Sequence, residues 1–365
     1  MNRFGKHLVS LLFALVLAPV ALGSSLPGGW RKLPAAPVLP DGYLTSAWTG
    51  TQLVVFGRRQ ITKLDARGAP YVVKSLDVAA AYTPATSSWR RLSPRAGPTG
   101  AYEGGYGAVW TGKEVLVWGA FDYQAYNPAT NRWRLLPRRP GIESAGGLDV
   151  WTGRELIGWG GGCCGDAFSS GVAYNPVTNR WRNLSASPLA GNQHPVGAWT
   201  GRELVLLVSN LNPDGKPWPA RLARAAAYDP QTNAWRRLAP LPGGTAASAV
   251  WDGHEMLVLT AGGALFAYDP ATNAWRRLAR FGPPHLGAAV AWTGKRLLVW
   301  GGKTAGGLAY DPATNRTATL PRAPLQARQD PAAAWTGHAL VVWGGRRLGP
   351  GKPFADGASF TPATP

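Results

Sequence analysis

Helical periodicity is missing from this chain of 365 residues. Beyond the N-terminus no span carries an apolar stripe at helical spacing, so little helix is expected. Histidine is scarce as well. After the first two dozen residues only His194, His254, His285 and His338 occur, and no pair has close ligand spacing. No zinc spacing, Asp-rich calcium loop, P-loop or nucleophile elbow is present, which removes the common motif-borne chemistries and leaves no expected metal or cofactor. Acids are outnumbered two to one, 19 against 38 Lys and Arg, for a net charge of +19. After residue 22 no run is apolar enough to span a bilayer.

What the chain has instead is repetition. Trp-(Thr/Asp)-Gly recurs at Trp48, Trp110, Trp151, Trp199, Trp251, Trp292 and Trp335. A hydrophobic run follows each, as in VLVWG at 115–119 and LLVWGG at 297–302, and then an aromatic-x-Pro-x-Thr phrase such as Tyr126-Asn-Pro-Ala-Thr-Asn-Arg-Trp133. A period of roughly 40–50 residues signals a stacked or circular array of one supersecondary unit. Residues 107–136 read as four short strands: GAVW, a break at Thr111-Gly112, KEVLVWG, QAY stopped by Asn127-Pro128, and RWRLL. Four such strands make one propeller blade.

The ends of the chain argue for closure. The seventh unit reaches Phe360-Thr-Pro-Ala-Thr and stops before a fourth strand, while an orphan fourth strand, Trp30-Arg-Lys-Leu33, stands near the N-terminus. The expected fold is all-β, a seven-bladed propeller whose ring is closed by that N-terminal strand. Of the 18 tryptophans, 17 fall in frame with the repeat and only Trp218 does not. Thr317 replaces the expected Trp in the sixth unit, where a poorly packed outer edge is expected.

The hydrophobic–Gly-Gly run followed by Tyr268-Asp-Pro-x-Thr-Asn-x-Trp275 resembles the kelch repeat, over about residues 30–365. The resemblance implies an exported bacterial kelch-like propeller. Such propellers include protein-binding scaffolds, a periplasmic sialic acid epimerase and galactose oxidase. The copper radical chemistry of the last needs Tyr and His ligands with a Tyr cross-linked to Cys. The sparse histidines and the adjacent cysteines argue against it.

The N-terminus reads as a secretory signal peptide over residues 1–23: a basic start, an apolar stretch from Leu8 to Leu22, and a small-x-small end at Ala21-Leu-Gly23. Residues 24–365 then form the propeller, exported to the periplasm or beyond. For Cys163 and Cys164, a vicinal disulfide is the expectation outside the cytoplasm, with two free thiols as its rival. Adjacent Cα atoms lie about 3.8 Å apart, short of the usual disulfide range, and the flanking glycines ease the tight turn a bridge needs. Much of the positive charge lies on the fourth strands, among them Arg90, Arg91, Arg132, Arg134, Arg182, Arg236, Arg237, Arg276 and Arg277. The expected role there is to guard outer edges against aggregation. The excess charge also allows loose association with the envelope, whereas sequence-specific nucleic-acid binding lacks the interleaved aromatics it needs.

Alternating strand direction puts all the short turns on one face. The opposite face takes the variable loops, near 58–77, 160–170, 209–224 and 345–357, and there a site is expected. Its candidate ligand-binding residues are Tyr43, Arg58, Arg59, Glu103, Tyr106, Glu143, His194, Trp218, Arg328, Asp330, Arg346 and Arg347, with Asp41, Asp149 and His285 also near the channel mouth. The expected function is a monomeric binding module for an unknown protein or an anionic or saccharide ligand. The alternative is an epimerase-like or mutarotase-like enzyme acting on a polar sugar at the mouth.

Overall fold

The second strand of each repeat is apolar at nearly every position because both of its faces are covered by neighbouring blades. In the computed structural model, which describes residues 25–38, 44–93, 107–118, 123–140, 147–162, 166–209, 223–278, 281–282, 286–349 and 353–363, all four residues of Val115–Trp118 are buried. The inner strands are rich in Ala and Gly, which fits the crowded centre of a ring.

Among the described residues twenty-eight strands form seven four-stranded antiparallel sheets. Strand β1 is Gly28–Lys32. Blade 1 holds β2 (Leu44–Trp48), β3 (Leu53–Leu64), β4 (Pro70–Thr83) and β5 (Ser88–Arg91). Blade 2 holds β6 (Gly107–Trp110), β7 (Val115–Trp118), β8 (Tyr123–Asn127) and β9 (Arg132–Leu135). Blade 3 holds β10 (Leu148–Trp151), β11 (Leu156–Trp159), β12 (Gly171–Asn175) and β13 (Arg180–Asn183). Blade 4 holds β14 (Val196–Trp199), β15 (Leu204–Val208), β16 (Ala223–Asp229) and β17 (Ala234–Leu241). Blade 5 holds β18 (Ala246–Trp251), β19 (Met256–Thr260), β20 (Leu265–Asp269) and β21 (Ala274–Arg277). Blade 6 holds β22 (Ala289–Trp292), β23 (Leu297–Trp300), β24 (Gly307–Asp311) and β25 (Arg316–Thr319). Blade 7 holds β26 (Ala332–Trp335), β27 (Leu340–Trp343) and β28 (Gly357–Pro362), with β1 as its outer strand.

Each repeated phrase has a mechanical reason. In Trp-Thr-Gly the Thr hydroxyl closes the first turn. Thr111 Oγ1 accepts from Glu114 N at 3.0 Å and donates to Glu114 O at 2.9 Å, while Gly112 supplies a φ of 92°. In the second phrase the Asn takes the left-handed conformation, with φ of 55° at Asn131 and Asn179, and its amide oxygen accepts from the Tyr hydroxyl five residues earlier.

The outer strand stitches in two directions. Its Trp reaches back: Trp133 Nε1 donates to Ser93 O, Trp181 to Pro137 O, Trp235 to Ser185 O and Trp275 to Ala239 O, all at 2.8–3.1 Å. The Arg that follows reaches forward. Arg182 grips Glu155 in its own blade at 2.6 Å and donates to the Tyr228 hydroxyl of the next at 2.8 Å. Arg134, Arg236 and Arg276 pair likewise with Glu114, Glu203 and Glu255. These four arginines therefore hold blades together, which corrects the expectation that they serve mainly as edge guards. Replacing Arg182 with Met is expected to cost about 1–2 kcal/mol in denaturant unfolding. Arg277→Gln, on an exposed position of the same kind of strand, should stay within about 0.5 kcal/mol.

The sixth blade solves its missing Trp differently. Phe281, from the link after blade 5, is fully buried with its ring 6.3 Å from that of Tyr310. Tyr310, the cross-strand neighbour of Thr317, thus has an aromatic neighbour supplied from outside the repeat frame.

Candidate functional site

The short-turn face is committed to this stitching. A cleft of about 540 Å³ opens there between blades 3 and 4, lined by Arg154, Glu155, Arg182, Trp199 and Arg202, and one of about 250 Å³ beside Trp335 and His338. In the larger cleft Glu155 and Arg182 already satisfy each other, so it is a seam between blades rather than a set of groups awaiting a ligand. The variable face carries what the repeat does not explain.

The link from blade 6 to blade 7 and the loop after β27 meet there. Arg328 is fully buried, and two of its three guanidinium nitrogens are engaged locally while Nη2 has no hydrogen-bond partner among the described residues. Nε donates to Gln326 O at 3.1 Å, and Nη1 donates to Gly344 O and Asp356 O at 3.1 Å and to Asp356 Oδ1 at 2.9 Å. It lies over the Phe354 ring at 4.1 Å. Arg328 therefore braces the loop and does not face an incoming ligand, as a residue at an open channel mouth would. Burial pushes its pKa down and Asp356 opposes that. The braced loop presents Arg346, paired with Asp330, and Arg347, which lies over the Phe354 ring at 4.5 Å and donates to Gln326 Oε1 at 3.0 Å. Arg346 and Arg347 are exposed.

The predicted loop at 58–77 is a hairpin. Arg58 sits at its base, buried and 3.6 Å from Asp77, so it is no exposed ligand contact; its neighbour Arg59 is exposed. His194 is exposed on the link before β14, its backbone N–H donating to Asn192 Oδ1 at 2.9 Å. Tyr43, Glu103, Tyr106, Glu143, Trp218, Cys163 and Cys164 lie outside the described residues, as do Asp41 and His285. The structure thus brings together Arg328, Asp330, Arg346 and Arg347, and leaves His194 on a different link.

A further cluster sits between blades 2 and 3. Asp149 on β10 is directly opposite Gly158 on β11, and a Cβ at Gly158 would collide with its carboxylate. Burial pushes the Asp149 carboxyl up to about 6, against the opposing charge of Arg139 and a hydrogen bond from Trp118. Arg139 in turn donates to the Tyr123 hydroxyl at 2.7 Å. Arg139, Tyr123 and Gly158 were not expected from the sequence. Asp149 and Gly158 do leave a signal there: blade 2 has Ala108 opposite Val117 at the same rung, and blade 7 has Ala333 opposite Val342. An acid facing a glycine is a matched departure from that column.

No family model matches the chain, and a search of curated proteins found no match. Among solved structures it is similar to a fungal alcohol oxidase of the AA5 family in complex with copper, with a TM-score of 0.67 and 13% identity over 92% of this chain and 76% of that one. At that identity the likeness is one of fold. Among the described residues no three His, Cys, Asp or Glu side chains gather as a metal centre requires.

Proposed function

We propose that this propeller is an exported kelch-like binding scaffold, its first 23 residues a removable leader, that takes an anionic or saccharide-bearing partner on the variable face. One observation carries the reading. A fully buried arginine, Arg328, braces a loop outside the blade repeat through Nε and Nη1, and that loop's exposed residues include Arg346 and Arg347. A rigid support under exposed guanidinium groups favours recognition of carboxylate, sulfate or phosphate. The Ala- and Gly-rich inner strands also favour a scaffold over a catalytic mouth. The enzymatic alternative rests on Asp149, a part-buried acid beside Arg139 whose carboxyl burial pushes up to about 6.

A glycan array and a panel of acidic oligosaccharides probed with the processed chain test this reading. Arg346→Ala with Arg347→Ala, and separately Trp218→Ala, should each weaken the best hit by about 1–3 kcal/mol with little change in melting temperature. Lys113→Ala with Lys295→Ala, on the short-turn face, should leave it unchanged. Loss of binding only in the short-turn pair would overturn the assignment of the face.

A further inference from the structure

One blade breaks the outline of the ring. In blade 1 the rungs that β3 shares with β2 end at Leu44–Gly57, yet β3 and β4 go on pairing with each other from Arg58–Asp77 to Leu64–Pro70. At about 3.4 Å per residue this finger projects roughly 20 Å from the variable face. Among the described residues the second strands of the other blades end at Trp118, Trp159, Val208, Thr260, Trp300 and Trp343.

The finger's surface is unlike the rest. Nine large hydrophobic side chains among the described residues are exposed, and five of them are here: Ile61, Leu64, Tyr71, Val72 and Val73. Leu64, beside the tip, is 68% exposed and Tyr71 49%. Four cations accompany them, Arg59, Lys63, Arg67 and Lys74, all exposed and none in an ion pair among the described residues. The acids near them are engaged. Asp65 accepts from the backbone N–H groups of Arg67 and Ala69 at 2.8 Å, and Asp77 faces Arg58.

Pairing places Lys63 opposite Tyr71 and Ile61 opposite Lys74 on one side of the ribbon, with Thr62 opposite Val72, and Leu64, on the other. Apolar groups therefore stand on both sides, and a partner lying flat on one of them would leave the other in water. Strand addition at the edges is opposed by the register shift between Ile61 and Thr62 and by the flanking lysines. A medium that surrounds the tip satisfies both sides at once. We propose that the finger docks the propeller on an anionic lipid bilayer. Leu64, Val72 and Tyr71 enter the headgroup boundary, and Arg59, Lys63, Arg67 and Lys74 meet lipid phosphates. Insertion stays shallow, because the unpaired edges of a two-stranded ribbon cannot enter hydrocarbon. Tyrosine suits that depth, and the excess positive charge of the processed chain, +17 once Arg3 and Lys6 of the leader are removed from +19, steers it toward such a surface. The variable face is then held toward the bilayer. This assignment does not depend on the ligand proposed for Arg346 and Arg347.

The test is vesicle co-sedimentation with the purified processed chain, residues 24–365. It should pellet with vesicles of phosphatidylcholine mixed with phosphatidylglycerol and stay in solution with phosphatidylcholine alone. Leu64→Asp with Val72→Asp should lower the partition coefficient about tenfold or more, and Lys63→Glu with Lys74→Glu likewise, both with an unchanged melting temperature. Equal partitioning of the Leu64/Val72 variant would reduce the effect to bulk charge and overturn the finger. A concentration-dependent dimer, seen by light scattering without lipid and abolished by the same variant, would assign the finger to a second copy and overturn the lipid reading. Loss of glycan binding in the Arg346/Arg347 variant with vesicle binding retained would separate the two sites.

Discussion

A chain lacking residues 24–34 is expected to lose most of its thermal stability. Those residues supply β1, which makes five rungs with β28, from Gly28–Pro362 to Lys32–Ala358. They also anchor the seam with blade 6. Leu26 N donates to Thr319 O at 2.8 Å, and Trp30 Nε1 donates to Pro321 O at 2.9 Å. The Trp30 ring lies 5.5 Å from that of Trp300 and 5.3 Å from Phe360, both fully buried. Trp30→Ala alone should cost about 3 kcal/mol. Removing the strand exposes Phe360 and a sheet edge together, a loss comparable with the whole stability of a typical domain, about 5–15 kcal/mol. Calorimetry of the truncated and full chains decides this, and equal melting temperatures would refute ring closure by β1.

The second large effect is expected at Asp149 and Gly158. Gly158→Val drives methyl groups into the Asp149 carboxylate and should cost about 3 kcal/mol or more, as overpacking beside an enclosed charge does. Adding Asp149→Ala recreates the Ala108–Val117 rung of blade 2 and should recover much of the loss, leaving the cost of depriving Arg139 of its acid. A double-mutant cycle without such recovery would show that the two positions are not matched. The same acid sets a pH dependence. Its folded value is about 6 against 3.8 for the free group, so the fold holds this proton more tightly than the unfolded chain does. Stability from this group is highest below about pH 4, falls as the pH rises toward 6, and is flat above, an overall change on the order of 3 kcal/mol. Asp149→Asn should remove that slope from melting temperatures taken between pH 4 and 7. A slope that survives the substitution would place its origin elsewhere.

The blades were legible because each repeat marks its own turns: Trp-Thr-Gly needs a hydroxyl and a glycine, and Tyr-x-Pro-x-Thr-Asn needs an aromatic hydroxyl and a left-handed Asn at fixed offsets. Closure was legible for the same reason, since Trp30-Arg-Lys-Leu33 repeats a phrase whose other members sit on outer strands. The partners of the outer-strand arginines were not, because Glu155 and Tyr228 meet Arg182 only when two blades are side by side. The finger in blade 1 looked like a loop because Arg59, Lys63 and Lys74 interrupt its apolar residues, and among the described residues it has no counterpart in the other repeats. At the blade 6–7 link, the residue types pointed to a cluster, but only packing separates Arg328, which braces, from Arg346 and Arg347, which project. Asp149 and Gly158 carried a signal in the repeat columns, visible once the rung they share is known.

The directional stitch bears on what an unclosed chain becomes. The blades that carry the Trp-Arg pair offer tryptophan backward and arginine forward, so their two sides are unlike and the seams they make are head-to-tail interfaces. Such an interface ends only by meeting itself around a ring. With blade 7 unfinished, one end of the chain still presents an acceptor side and the other a donor side, each complementary to the opposite end of another molecule. Failure to close would therefore generate ordered, open-ended polymers, blade on blade, whose growth is set by concentration rather than by loss of the individual folds.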